Sequence, residues 1–358
     1  MDASRPRRSM ERRTPVWQAP RAVLDLMGDT PGKALNGWGE TTERPPTVVM
    51  WARPDRLVHG RVQATMTEEF LAHPELRASL RTDDRHDPAP IAEQRCDLDP
   101  AGWVEEVTNF ATGPAGESVE LVGVAAIRPN WWFEGRERDY PWIIVLGVVM
   151  DHARLATAPE YTSALEVHAQ YNRGTRAARA LADHIRGLGY RAEGHGGPGA
   201  GPILMVPAAI EAGFGELGKH GSIINRHFGS SFRLAAVLTD APLVASPADE
   251  FGAADFCRGC RVCTDACPPN AISPETRMVR GTRKWAVDFD RCLPYFATSY
   301  GCGICIAACP WSRPGAAPRL AANMTRKRAR RLSPTGADPA SPGSGRTSPP
   351  AETGDRSG

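Results

Sequence analysis

The chain has 358 residues with 43 basic and 41 acidic side chains, a formal net charge of +2. That balance gives no electrostatic reason to expect nucleic acid or an anionic membrane as partner. The longest apolar run, residues 141–150, is about half of what a membrane span needs and reads as a buried strand.

Residues 1–45 are rich in Arg, Pro and Gly with little periodicity, so a loose arm is expected there. The pairs Arg7-Arg8 and Arg12-Arg13 precede residues 14–42, which hold no apolar core of the length an export signal requires. A cytoplasmic location is therefore expected. Residues 46–245 alternate strand-like and helix-like segments, enough for one α/β domain. Within them Cys96 reads as an ordinary loop or core thiol. Residues 120–128 and 142–150 are short aliphatic runs bounded by Gly, Pro and charge, which suits central strands covered on both faces. Trp131, Trp132 and Phe133 between them read as core, with a pocket wall as the functional alternative. Ser163-x-x-Glu166 has the form of a capping box ahead of a helix in which Leu165, His168, Ala178, Leu181, Ile185 and Leu188 recur, ended by Gly187 and Gly189. Residues 232–239 read as another strand.

Between that helix and that strand the chain is glycine-rich, first at 194–202 and again at 212–221. Bare backbone of this kind is either a flexible linker or a surface against which a large planar or anionic ligand can lie. The second stretch carries the apolar anchors Phe214, Leu217, Ile223 and Ile224, which flexible linkers lack. Gly213, Gly215, Gly218 and His220 are therefore its candidate cofactor-binding residues. No Gly-x-Gly-x-x-Gly follows a strand in a βαβ setting and no phosphate loop is present, so a nucleotide domain is not indicated.

Eight of the nine cysteines lie in residues 246–315. The first run is Cys257-x-x-Cys260-x-x-Cys263-x-x-x-Cys267-Pro268, and the second is Cys292 followed by Cys302-x-x-Cys305-x-x-x-Cys309-Pro310. Three cysteines within seven residues do not have zinc spacing, and a chain of this length needs no disulfide staples. The pattern is that of a pair of four-iron cubes, in which the fourth cysteine of each run ligates the other cluster. By that rule Cys257, Cys260, Cys263 and Cys309 hold one [4Fe-4S] cluster, and Cys267, Cys292, Cys302 and Cys305 the other. Arg280, Arg283 and Lys284 read as a solvated loop, with contact to a substrate anion as the alternative. Residues 316–358 hold the basic run 326–331 and continue from it in Ser, Pro, Gly, Ala and Thr, so a disordered tail is expected, with a docking patch for an acidic redox partner as the alternative reading of the run.

The order of a strand ending in Met150, a helix ending Ile185-Arg-Gly-Leu-Gly-Tyr190, Ala212-Gly-x-Gly-Glu-x-Gly218, Thr239-Asp-x-Pro-Leu243, the first cysteine run and a closing Cys309-Pro-Trp-Ser312 resembles the cobalamin-dependent reductive dehalogenases. The related epoxyqueuosine reductases share its Gly-Glu-Leu-Gly-Lys and Thr-Asp-x-Pro-Leu elements. The resemblance implies a nitroreductase-like α/β cobalamin domain at 46–245 followed by a bacterial-ferredoxin-like two-cluster module at 246–315. It implies a base-off corrinoid and reductive dehalogenation of a small organohalide such as a halogenated phenol. It also implies a tyrosine proton donor assisted by a nearby Lys or Arg: Tyr161 first, Tyr171 second, with Lys219 as the cation. The histidine-ligand pattern Asp-x-His-x-x-Gly is absent, since Asp84-Arg-His86-Asp-Pro-Ala89 fails at its last position. Electrons would come from an external ferredoxin, flavodoxin or flavin reductase, because no donor domain is fused.

Two other functions compete. In the epoxyqueuosine reductases, which act on tRNA, the proton donor is an aspartate, whereas residues 167–173 here read Val-His-Ala-Gln-Tyr-Asn-Arg. The missing carboxylate and the near-neutral charge count against it. A plain electron-transfer protein without a corrinoid would not need some 200 residues ahead of its clusters.

Overall fold

The computed structural model describes residues 16–80, 86–197 and 201–332. Its N-terminal part is helical: α1 (Arg21–Met27), α2 (Gly32–Leu35), α3 (Gly60–Ala72), α4 (Pro74–Ser79) and α5 (Pro100–Thr112). Next come β1 (Leu121–Ala126), β2 (Trp142–Val149), α6 (His152–Leu155), α7 (Tyr161–Gly187), β3 (Ala192–His195), α8 (Met205–Ala209), β4 (Glu216–Leu217), β5 (Ile223–Ile224) and β6 (Phe232–Thr239). The cysteine region holds α9 (Ala253–Gly259), α10 (Val262–Ala266), β7 (Arg277–Val279), β8 (Thr282–Lys284), α11 (Phe289–Ala297) and α12 (Ile304–Ala307), and α13 (Ala316–Leu332) follows. Among the described residues no helix is long and apolar enough to cross a membrane.

The main sheet is antiparallel throughout, in the order β1-β2-β6-β3, with Trp142 opposite Thr239 and Val149 opposite Phe232. Strand periodicity of two sends alternate side chains to opposite faces. Ile144, Leu146 and Val148 of β2 and Ala235 and Val237 of β6 meet Trp103 and Val107 of α5 and Leu181 and Ile185 of α7. Ile143, Val145, Ala236 and Leu238 point the other way, onto Trp131, Trp132, Ile203 and Ala208. Each fully buried aliphatic side chain in these two layers contributes about 1.5–3 kcal/mol, which is why β2 reads as a continuous apolar run; β1, expected to be central as well, is an edge strand of the sheet. The expectation of core holds for Trp131 and Trp132, whereas Phe133, also buried, lines a cavity as the alternative reading had it.

The capping box is drawn differently from its sequence form. Helix α7 begins at Tyr161 with Glu160 as its N-cap residue, so Ser163 lies inside the first turn, donating to the Glu160 carbonyl at 2.8 Å. Glu166 is buried and turned to the end of β2, where it accepts from the Asp151 backbone N–H (2.8 Å) and pairs with Arg154 (3.2 Å).

Two stretches expected to be loose are docked. From residue 16 on, the N-terminal segment straps the cysteine region: the Trp17 N–H donates to the Pro268 carbonyl (3.0 Å), its ring meets Tyr295 edge-on, and the Gly39 N–H donates to Met278 (2.8 Å). Residues 316–332 form a helix whose Ala317, Ala321, Leu320 and Met324 pack on Phe251 and Trp311, while Arg328 pairs with Glu250 at 2.7 Å. Residues 1–15 and 333–358 of the expected arm and tail lie outside the described residues.

Candidate functional site

The eight cysteines fall into two sets of four. Cys257 lies on α9 and Cys260 caps its end; Cys263 lies on α10 and Cys267 caps its end; Cys292 is on α11 and Cys305 on α12. Cys302 takes a left-handed conformation (φ 51°) between Gly301 and Gly303, both also at positive φ, which turns the chain back sharply. Burial is the first cause pushing the thiols of Cys257 up to about 11 and of Cys263 and Cys309 up to about 12, and the next causes include their neighbours within 257, 260, 263 and 309. Cys292 is likewise pushed up to about 12, by burial and then by Cys302 and Cys267, and Cys305 is raised by burial and then by Cys302 and Cys292. Cys305 also feels Cys263, so the two sets adjoin. These influences run mainly within 257, 260, 263 and 309 and within 267, 292, 302 and 305. Backbone N–H groups point at the sulfurs, from Ala271 to Cys267 (3.3 Å), from Lys219 to Cys257, and from Trp311 and Ser312 to Cys309. Among the described residues no three His, Cys, Asp or Glu side chains converge as a single metal ion would need.

The hairpin β4–β5 ties the sheet domain to the first set. Gly213 (φ 85°) and Gly215 (φ 120°) lead into it, and a Cβ on either would meet backbone, the Pro247 carbonyl at 2.6 Å or the Ile224 carbonyl at 2.1 Å. A Cβ on Gly218 would strike the His220 ring at 2.6 Å. What lies against these three glycines is therefore protein. Glu216 turns its carboxylate onto the start of α9, accepting from the N–H groups of Phe251 (3.0 Å), Gly252 (2.7 Å), Ala253 (2.7 Å) and Ala254 (3.3 Å). It fills the orphan-donor sites of the helix that carries Cys257.

Lys219 is 1% exposed; its ammonium donates to the Cys260 carbonyl at 2.7 Å and lies over the Trp285 ring at 4.9 Å. Its partners belong to the cysteine region, whereas Tyr161 and Tyr171 belong to α7. His220 is buried with both ring nitrogens engaged: Nδ1 accepts from the Ser222 N–H (3.1 Å) and Nε2 meets Ser230 Oγ (3.2 Å). Ser230 donates its own proton to the Ile223 carbonyl (2.7 Å), which leaves Nε2–H as the donor of that pair. Burial holds His220 down to about 4. His86 is bound to Asp183 at 2.9 Å, and Asp84 lies outside the described residues.

On the α8 side of the sheet a cavity of about 270 Å³ is walled by Phe133, Ile203, Met205, Val206 and Phe232, with the bare backbone of Gly197 and Gly201 at its edge. Three polar side chains line it, Tyr171 of α7, Arg233 of β6 and Ser222. The guanidinium carbon sits 5.3 Å from the Tyr171 ring centroid, and the buried Arg233 Nε has no hydrogen-bond partner. Tyr161 is elsewhere, at the first turn of α7, its ring 4.0 Å from that of His73 in the cluster formed with Met66, Phe70, Leu76 and Leu293. His168, one turn before Tyr171, is stacked on Phe70 and bonded to Ser79 (3.2 Å); burial, then the Arg233 charge, holds it down to about 4. Sequence reasoning passed over Arg233 and Glu216. An arginine inside an otherwise apolar strand was the available signal for the first; Glu216 was visible only as part of a motif.

Residues 256–312 match the 4Fe-4S dicluster domain family. A tetrachloroethene reductive dehalogenase of Desulfitobacterium hafniense is 32% identical over 212 residues, covering 56% of this chain and 38% of that protein. An epoxyqueuosine reductase of Leadbetterella byssophila is 31% identical over 128 residues, 31% of this chain and 38% of that protein. A solved reductive dehalogenase, described as suggesting a mechanism for B12-dependent dehalogenation, superposes with a TM-score of 0.61 at 24% identity, over 76% of this chain and 40% of its own. The chain spans about two-fifths of the length of the relatives it matches. It is thus a homologue of the reductive dehalogenases, with the same fold over most of its length and a 4Fe-4S dicluster domain at residues 256–312.

Proposed function

We propose that the chain is an oxidoreductase of reductive dehalogenase type, in which two [4Fe-4S] clusters relay electrons from an external ferredoxin, flavodoxin or flavin reductase to a corrinoid. The substrate is a small organohalide such as a halogenated phenol. The observation that carries this reading is the pairing of Tyr171 with an unpartnered Arg233 Nε in an apolar cavity. The cavity of about 270 Å³ is smaller than a corrin macrocycle, so Phe133, Ile203, Met205, Val206 and Phe232 would line only the part of its site next to Tyr171 and Arg233, where Gly197 and Gly201 allow close approach. His86 and His220 are both engaged with protein partners and are not candidates to ligate it. When bound, a corrinoid supplies one-electron chemistry at a metal that side chains lack.

Replacing a carbon–halogen bond by carbon–hydrogen consumes a pair of electrons and a proton and releases halide. Tyr171 is the proton donor within the cavity, and Arg233 stabilises the phenolate left behind. The same guanidinium orients an anionic substrate, while the apolar walls exclude water and strengthen both interactions. Turnover of a bromophenol panel by the reconstituted chain tests this. Tyr171→Phe should lose about 10²–10⁴-fold in rate, and Arg233→Met should also fall, while Tyr161→Phe should stay within a few-fold. Undiminished debromination by Tyr171→Phe overturns the assignment.

A further inference from the structure

We infer that Lys219 is the buried counter-cation of the cluster held by Cys257, Cys260, Cys263 and Cys309, and that it raises that cluster's reduction potential above that of its neighbour. The inference rests on the two-cluster reading of the thiols. A lysine side chain is almost never fully buried unless its charge is compensated, yet Lys219 is 1% exposed. Its ammonium meets a neutral carbonyl and an aromatic face. Neither of those partners is a carboxylate, and Glu216, three residues earlier, is committed to the N-terminus of α9. The compensating anion is to be sought among the sulfurs beside it.

Three observations place it there. The Lys219 backbone N–H points at the Cys257 sulfur, and its ammonium is bound to the carbonyl of Cys260. Its charge acts on Cys257 and Cys263. A carboxylate acts on each set, Glu216 on Cys257 and Asp288 on Cys292, and Lys219 is the cation that acts on the first set in addition. Four thiolates around an iron–sulfur core form an anion that gains one further negative charge on reduction, so a nearby fixed cation favours the reduced form and a nearby carboxylate opposes it. Electrons then run downhill from the Cys292 side to the Cys257 side, the side tied to the sheet domain by β4–β5. Each step moves a single electron with all thiolates retained, and no proton is needed because the compensating charge is already in place.

The test is an anaerobic potentiometric titration of the full reconstituted chain with dithionite, followed by paramagnetic resonance, for Lys219→Met, Lys219→Gln and Lys219→Arg. Lys327→Met, on the exposed face of α13, is the control. In the Met and Gln variants one cluster should become at least about tenfold harder to reduce, about 59 mV for a one-electron couple. The other cluster, the control and the Arg variant should stay near wild type. The shift should persist in strong salt, because the ammonium is out of solvent. Unchanged potentials at full iron content overturn the inference. So does loss of iron from Met and Gln but not Arg, which would make the charge a folding requirement only. A wild-type chain with no four-iron spectrum removes the cluster reading itself.

Discussion

Removing the Glu216 carboxylate should loosen the first cysteine set without touching any thiol. Its oxygens receive four N–H groups at the start of α9, two of them at 2.7 Å, the separation of charge-assisted bonds. Each hydrogen bond to a charged group is worth about 1.5–3 kcal/mol net. Glutamine keeps one acceptor oxygen in place and loses the charge, which roughly halves the two short bonds and costs about 2 kcal/mol. Alanine orphans the four donors, three of them on buried residues; with water entering the space the side chain leaves, the cost is about 4 kcal/mol, a large share of the roughly 5–15 kcal/mol that holds a protein folded. At about 2–4 °C per kcal/mol, melting should fall by about 5 °C for Glu216→Gln and about 10 °C for Glu216→Ala. Anaerobic circular-dichroism melts of the reconstituted chain at one fixed scan rate, paired with iron content, measure both. Melting of Glu216→Ala within about 2 °C of wild type would refute the reasoning, since it would mean that water caps α9 as well as the carboxylate does.

Cys309→Ser should remove one cluster and Cys292→Ser the other, each leaving about four irons per chain; loss of the same resonance signal in both would break the crossed assignment. Gly215→Ala must place a Cβ against the Ile224 carbonyl at φ 120°, so it should cost more than the roughly 1–3 kcal/mol typical of a strained backbone and sharply lower soluble yield. A wild-type yield would deny the close approach. Burial holds His168 and His220 down to about 4, below the ordinary value of 6.5. Their neutral forms therefore stabilise the fold above pH 6.5, and this contribution is lost as pH falls from 6.5 toward 4. Between pH 7.5 and 5.5 each should withdraw about 1.4 kcal/mol. His168→Gln should flatten the pH dependence of melting by about that amount, and an unaltered slope would show that His168 is not held neutral.

The parts of this molecule legible from its sequence are those fixed by local period or spacing. The continuous apolar runs at 120–128 and 142–150 marked a sheet covered on both faces, and the cysteine intervals matched the 4Fe-4S dicluster family. What stayed hidden depends on distant partners. Trp17 on Tyr295, Met27 in the cluster around Phe70 and Trp38 bridged to Val279 are single anchors with no period, so the N-terminal strap looked loose. The buried stripe of α13 is mostly alanine, small enough to be masked by the arginines around it. Gly213 and Gly215 are bare because backbone from residues 247 and 224 crosses them, and sequence cannot distinguish that from room for a ligand. Tyr161 and Tyr171 lie on one helix, and only its packing turns the second into the cavity and the first onto His73. Lys219 sits in a motif that suggests chemistry, but its direction is set by Cys260 and Trp285, which lie 41 and 66 positions further along.

The most direct test of the account is anaerobic reconstitution with iron, sulfide and cobalamin, followed by desalting and visible and paramagnetic spectra. The account expects about eight irons per chain with a corrinoid retained in its base-off state. The same iron content with no retained corrinoid would contradict it and leave an electron carrier.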